Sequence, residues 1–203
     1  MLYNKKVLIT NDDGFEAEGI KTLVEQIYLF TKDIIVIAPK NNSSAASHSI
    51  TLKDGMKLVK ELPIYKDVET YSLTGSPADC VSVGIVYLEI KPDYVISGIN
   101  NGLNMGIDIL YSGTVAACFE AGIHNVKAIA FSCERNELIS ASQIPSVINY
   151  INNIGNYTLK YIGMNDYVGE ALVVSTDGNT LYGIVSVNTL NSEVNVLLRN
   201  MYK

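Results

Sequence analysis

Lys6-Val7-Leu8-Ile9-Thr10-Asn11-Asp12-Asp13-Gly14 is the stretch that decides the fold. A short apolar run stops at four turn-forming residues, the pattern of a strand entering a tight turn. From Gly19 to Phe30, the apolar residues Ile20, Leu23, Val24, Ile27 and Tyr28 recur at helical spacing. Asp33-Ile34-Ile35-Val36-Ile37-Ala38 then reads as a second buried strand, stopped by Pro39. Strand, helix, strand is a βαβ unit, which implies parallel pairing through a right-handed crossover.

Downstream segments extend that unit. Asn41 to Ser49 is a small, polar loop, and Met56–Lys60 and Glu69–Leu73 lean towards β structure. Pro77 to Ile90 carries Val81, Ile85, Val86 and Leu88 in a helical pattern, with Pro77 suited to a first turn and Asp79 favoured there by the helix dipole. Asp93–Ser97 is a third core strand, running into Gly98-Ile99-Asn100-Asn101-Gly102. Ser112 is placed as the N-cap of a helix through Ala121, and Val126–Phe131 is a fourth strand. Ser142–Ile154 is predicted helical, with β-like runs at Ala171–Ser175 and Leu181–Leu190. The fold class expected is α/β, a doubly wound, mostly parallel, Rossmann-like sheet over residues 1–155. Residues 156–203 are expected to form an appended β element.

Composition narrows the function. The chain has 203 residues, 48% hydrophobic and 18% charged, enough apolar material for a core and little for disorder. Its formal charge is −6, and Arg135 and Arg199 are its only arginines. A duplex-binding surface needs dense positive charge to displace counterions, so no nucleic-acid duplex is expected as a partner. Cys80, Cys118 and Cys133 are odd in number and form no CxxC, which indicates neither a zinc knuckle nor a disulfide framework. No apolar run approaches the roughly 20 residues that span a bilayer. A soluble, cytoplasmic protein with no membrane partner is expected.

Chemistry gathers where the predicted strands end. Open α/β sheets bind ligands outside the carboxyl ends of their strands. Asp12-Asp13 ends the first strand; Asn42, Ser43, Ser44 and Ser47 follow the second; Asn100, Asn101 and Asn104 follow the third. Adjacent carboxylates repel unless a cation lies beside them, although Asp-Gly is also common in solvated turns. A parallel sheet would bring all three groups to one edge. They offer only oxygen donors, which suits a hard divalent ion such as Mg²⁺ or Mn²⁺. The glycines Gly98, Gly102 and Gly106 match no phosphate motif and read first as turn formers. Tyr111-Ser112-Gly113-Thr114 opens a helix, whose N–H groups favour a phosphate, with a plain N-cap as the competing reading. His48 reads as a general acid, a phosphate ligand or a surface residue; His124, Cys80 and Cys118 read as structural.

Taken together, five segments resemble the SurE family of survival proteins, in the family's order over about residues 6–132. They are Leu8–Gly14, Ala38–Thr51, Thr74–Cys80, Ser97–Gly106 and Asp108–Ala117. The resemblance implies a SurE-like α/β fold and metal-dependent hydrolysis of nucleoside 5′- and 3′-monophosphates, in some members also of short polyphosphate. It implies one divalent cation per subunit, Mg²⁺ or Mn²⁺, held by Asp12, Asp13, Ser44 and Asn100. Asp12, Asp13 and Asn100 are the catalytic residues it implies. Ser112, Gly113, Thr114, Asn104 and Asp108 match its phosphate-side and site-edge positions, with His48 taken as a further substrate contact. A homodimer or homotetramer with an exchanged C-terminal arm is the assembly it implies. Three features depart from the family pattern: His48 stands where Asn is usual, Ile107 stands where an acid is frequent, and the region after Ile154 is shorter.

Two other classes compete. A phosphoreceiver domain also sets an acidic pair after its first strand, but it needs an Asp ending the third, where this chain has Ser97-Gly98-Ile99-Asn100. A non-catalytic nucleotide-binding or assembly module with a degenerate site is the other alternative.

Overall fold

The computed structural model describes residues 2–53, 55–102, 104 and 106–133, together with four further strands at 157–164, 171–175, 180–188 and 193–199. The predicted helix at Ser142–Ile154 lies outside the described residues. In chain order the elements are β1 (Val7–Thr10), α1 (Glu18–Ile27), β2 (Ile34–Pro39), β3 (Leu58–Lys60), β4 (Glu69–Leu73), α2 (Pro77–Ser82), β5 (Tyr94–Asn101), α3 (Gly113–Ile123) and β6 (Lys127–Cys133). β7 (Tyr157–Met164), β8 (Ala171–Ser175), β9 (Thr180–Asn188) and β10 (Glu193–Arg199) follow.

All the strands join one sheet in the order β10-β9-β8-β7-β6-β5-β1-β2-β4-β3. Pairing is parallel from β7 through β6, β5, β1 and β2 to β4. β3 is antiparallel on one edge, and β8, β9 and β10 form an antiparallel meander on the other. This is the mostly parallel α/β sheet expected. β1 lies between β2 and β5, so successive connections leave it in opposite directions. That reversal opens a crevice at the carboxyl end of β1, the position at which such sheets bind ligands.

Around β1 the sheet is apolar on both faces because helices cover both. On one face Val7, Ile9, Val36 and Ile96 pack against Ile20, Leu23, Val24 and Ile27 of α1. On the other, Leu8, Ile37 and Val95 meet Cys80 and Val81 of α2 and Val115, Ala117, Cys118 and Ala121 of α3. Each large aliphatic side chain buried this way contributes about 1.5–3 kcal/mol. Both cysteines read as core are fully buried.

One helix differs from its sequence pattern. Pro77–Ile90 is not one α-helix: α2 ends at Ser82 and the chain widens into a π-helical turn over Val83–Tyr87. A Cβ on Gly84 would stand 2.9 Å from Leu8 Cδ2, so this segment lies directly on β1. The start of α2 is a capping box in which Ser76 Oγ accepts from the Asp79 N–H and Asp79 accepts from the Ser76 N–H. Asp79 is therefore a structural first-turn acid, as its position predicts.

α1 presses even closer to the sheet. A Cβ at Gly19 would lie 2.1 Å from the Ile99 carbonyl oxygen, whereas one at Gly55 would meet nothing within 4 Å. Gly19→Ala is expected to destabilise the fold by about 1–3 kcal/mol, because backbone must move to admit the methyl group. Gly55→Ala should be close to neutral. Urea unfolding of both variants checks the contrast, and equal midpoints would contradict the packing.

Candidate active site

The end of β1 is held by Asn11, a residue with no chemical role in the sequence reading. Its buried side-chain amide donates to the Gly14 carbonyl at 2.8 Å, and its Oδ1 accepts from the Gly14 N–H at 3.3 Å. Gly14 has φ +106°, a conformation that L side chains rarely adopt. This closed turn presents Asp12 and Asp13 at the crevice. An Asn followed three residues later by Gly was the available signal, and it reads equally well as an ordinary turn.

Asp12 points into the protein and is only 3% exposed. Its Oδ1 accepts from the Thr114 hydroxyl at 2.6 Å. The opening of α3 lies flush against it: a Cβ on Gly113 would come 2.9 Å from Asp12 Cβ and 3.0 Å from Pro77 Cγ. Ser112 caps the helix by accepting from the Val115 N–H at 3.1 Å. The N-cap reading of Ser112 thus holds, and capping is what aims the helix start at the carboxylate. Burial pushes the Asp12 carboxyl from 3.8 up to about 6, and the charge on Asp13 adds to the rise. The Thr114 hydroxyl and the backbone N–H groups of Asp12 and Thr114 act in the opposite direction.

Asp13 is partly exposed and ties the other two loops to this point. Its Oδ1 accepts from Asn42 Nδ2 at 3.4 Å and its Oδ2 from the Asn101 backbone N–H at 3.1 Å. The Asp12 carbonyl accepts from the Ser43 N–H at 2.7 Å, and the Ser44 N–H donates to Asn42 Oδ1 at 2.8 Å. The three oxygen-rich loops expected to converge on one edge do so. On β5 the strand is irregular where it reaches the crevice: the register with β6 shifts between Ser97 and Asn100. At Gly98, with φ +127°, a Cβ would lie 2.3 Å from the Phe131 carbonyl oxygen. Only glycine fits where the strand bends to carry Asn100 and Asn101 to the crevice.

The other sequence candidates are placed as follows. Asn100 donates through Nδ2 to the Gly102 carbonyl at 2.7 Å. Asn104 is buried and donates to Ser132 Oγ at 2.9 Å, fastening its loop to β6. Asp108 is exposed on a 3₁₀ turn over Gly106–Leu110 that leads into α3. Ser44 is exposed on the loop beside Asp13. His48 pairs with α3: its Nε2 lies 2.8 Å from Glu120 Oε2, in the second half of that helix. Glu120 and Asn11 are the positioning residues that sequence reasoning did not single out.

A cation fits this donor set. A buried carboxylate beside a second one is unfavourable without countercharge. Among the described residues no group of three or more His, Cys, Asp and Glu side chains gathers to hold a metal. A bound ion would therefore complete its shell with neutral oxygens and water, which suits Mg²⁺ or Mn²⁺ and not zinc.

Sheet reversal, glycine-shaped turns and a carboxylate pair at the switch point define a doubly wound α/β domain with its ligand crevice at the carboxyl end of β1. The chain belongs to the SurE family: the family profile, Survival protein SurE, matches residues 7–192. It is 47% identical over 131 residues to the 5′-nucleotidase SurE of Caldanaerobacter subterraneus subsp. tengcongensis, a match covering 64% of this chain and 51% of the relative. The 5′-nucleotidase SurE of Clostridium botulinum strain Loch Maree is 36% identical over 207 residues, covering 95% of this chain and 81% of the relative. The crystal structure of the SurE protein from Aquifex aeolicus superposes with a TM-score of 0.69 at 28% identity, covering 97% of this chain and 94% of that one. In its strongest matches the chain spans about half the length of the curated relatives. The family resemblance carried by the five motifs is borne out. Among the described residues, no helix is long and apolar enough to cross a membrane.

Asp12 makes a signed prediction for metal-free protein. Its folded pKa of about 6 lies above the ordinary 3.8. Its contribution to stability is therefore fully present below pH 4 and lost as pH rises through 6, a swing of roughly 3 kcal/mol. In EDTA, urea midpoints should fall across that window, and Asp12→Asn should flatten the fall. An identical slope in the variant would show that Asp12 is not the titrating group.

Proposed function

We propose that the chain is a metal-dependent phosphomonoesterase hydrolysing nucleoside monophosphates to nucleoside and phosphate. In this reading it is a 5′-nucleotidase, with 3′-nucleotides and short polyphosphate as further substrates. The observation that supports it most directly is the Asp12 carboxylate set against the opening of α3, with Asp13 tied to Asn42 and Asn101. Two of the similar curated proteins bear the name 5′-nucleotidase, which agrees with this reading.

In this proposal Asp12, Asp13, Ser44 and Asn100 hold one Mg²⁺ or Mn²⁺ per subunit. The cation supplies Lewis acidity towards a phosphoryl oxygen and lowers the pKa of water. The protein supplies the rest. Gly113 and Thr114 open α3 at Asp12, so the positive end of an 11-residue helix faces the place where phosphoryl charge develops. Ser112 holds that helix start in position by its cap. Asn104 supports the β5 side through Ser132, and Asp108 lies on the turn leading into the helix. The two carboxylates then have separate duties: Asp12 is anchored by Thr114 inside the protein, and Asp13 spans the two flanking loops. A homodimer or homotetramer is the assembly that family membership suggests.

The test is a panel of nucleoside monophosphates assayed for released phosphate with Mn²⁺ or Mg²⁺ and with EDTA. Metal-dependent turnover is expected, and Asp12→Asn should lower kcat by at least about a hundredfold. Nucleotide binding with no phosphate released under any metal would favour a non-catalytic module and reject the enzyme.

A further inference from the structure

Both histidines of the chain converge on one carboxylate. His48 Nε2 lies 2.8 Å from Glu120 Oε2, and His124 Nε2 lies 3.2 Å from Glu120 Oε1. The Glu120 side chain is 9% exposed, so it is a largely buried acceptor used on both oxygens. His124 follows it by one helical turn and ends α3, where a ring donor also favours the carbonyl end of the helix. His48 comes from elsewhere: it belongs to the loop after β2 that carries Asn42, Ser43 and Ser44, and its ring stacks on Phe119 at 6.3 Å between centroids.

That loop is held from several sides. Ser43 N–H donates to the Asp12 carbonyl, and Ser47 N–H donates to the Tyr111 carbonyl at 3.0 Å. Beyond His48, Ser49 accepts from Ser76 Oγ, and Thr51 donates through its N–H and hydroxyl to Asp79. Between these anchors Ala45 and Ser47 adopt left-handed backbone, with φ +59° and +52°. Side chains other than glycine resist that conformation, so contacts from outside must maintain it. Ser44 immediately precedes this segment, and the His48–Glu120 contact is the side-chain tether on its far side.

We propose that Glu120, clasped between His48 and His124, is a positioning residue that seats the Ser43–His48 loop against Asp12 and Asp13 and thereby sets the site's affinity for a divalent cation. The inference rests on the metal reading of the preceding section. Both Glu120 oxygens are engaged by the histidines, so it acts through the loop backbone. Supporting groups of this kind change metal affinity by about 10–100-fold when removed. His48 thereby has a role that a ring committed to α3 can perform and that needs no contact with phosphate.

Mn²⁺ binding, followed by electron paramagnetic resonance, and amide hydrogen exchange at Ser43 and Ser47 test the claim on the full chain. Glu120→Ala and His48→Ala should each weaken Mn²⁺ binding by about tenfold or more and speed exchange at Ser47. Glu120→Gln should restore both readouts, since an amide can accept from one ring and donate to the other once that ring changes tautomer. A residue that merely stiffens α3 would lower the melting temperature and leave Mn²⁺ affinity unmoved. Folded Glu120→Ala with wild-type affinity, or with wild-type exchange at Ser47, overturns the proposal. If Glu120→Ala does not fold, His48→Ala decides by the same criteria, because its side chain is one-third exposed on a loop. Should the wild-type chain bind no Mn²⁺, the metal reading falls and this affinity claim falls with it, whereas normal binding in both wild type and variants sinks this claim alone.

Discussion

A carboxylate buried against the start of a helix is the constraint on which this molecule turns. Asp12 sits at the end of a fully buried strand, and α3 begins within contact distance of its Cβ. Such burial disfavours the charged form, as the raised pKa records. The Thr114 hydroxyl and the backbone N–H groups of Asp12 and Thr114 offset part of that cost, and a bound divalent cation would offset more. Residue 113 must therefore be glycine, and Ser112 must cap the helix in the direction that delivers those N–H groups.

The sheet makes this arrangement possible by supplying rigid strands on both sides of β1. Apolar layers under α1 and under α2 and α3 fix β1 between β2 and β5, and the reversal of connections opens the crevice there. The loops that close the crevice are fastened individually. Asn42 and the Asn101 backbone meet on Asp13, while Ser43 meets the Asp12 backbone. Irregular backbone is confined to the places where strands deliver side chains: the positive φ of Gly14 and the bend at Gly98. A regular β5 would have continued past the crevice instead of turning Asn100 and Asn101 to it.

The loop after β2 links this site to the far half of α3. Its anchors on Asp12, Tyr111, Glu120 and Asp79 come from four separate parts of the chain. A polar loop of small residues has little intrinsic preference for one shape, so its conformation is the sum of these external contacts. The ordering of the site is thus distributed over residues well beyond the carboxylate pair.

Local pattern was sufficient for much of this. The apolar runs of β1, β2 and β5, the helical spacing in α1, the Ser112 cap and the Asp79 first-turn acid are short-range consequences of residue type, and each is legible because it depends only on near neighbours. The order of strand, helix and strand likewise fixed parallel pairing, and the carboxylate pair at a strand end marked the crevice. Other features arise only when distant segments meet. The Thr114 contact to Asp12 spans 102 residues, and the His48 contact to Glu120 spans 72. Neither residue type announces its partner, since Glu120 sits in a helix like any amphipathic acid and Asn11 resembles any turn asparagine. Tertiary structure decided those pairings because they are set by how helices lie on the sheet, a matter of packing across the whole core that no local window of sequence contains.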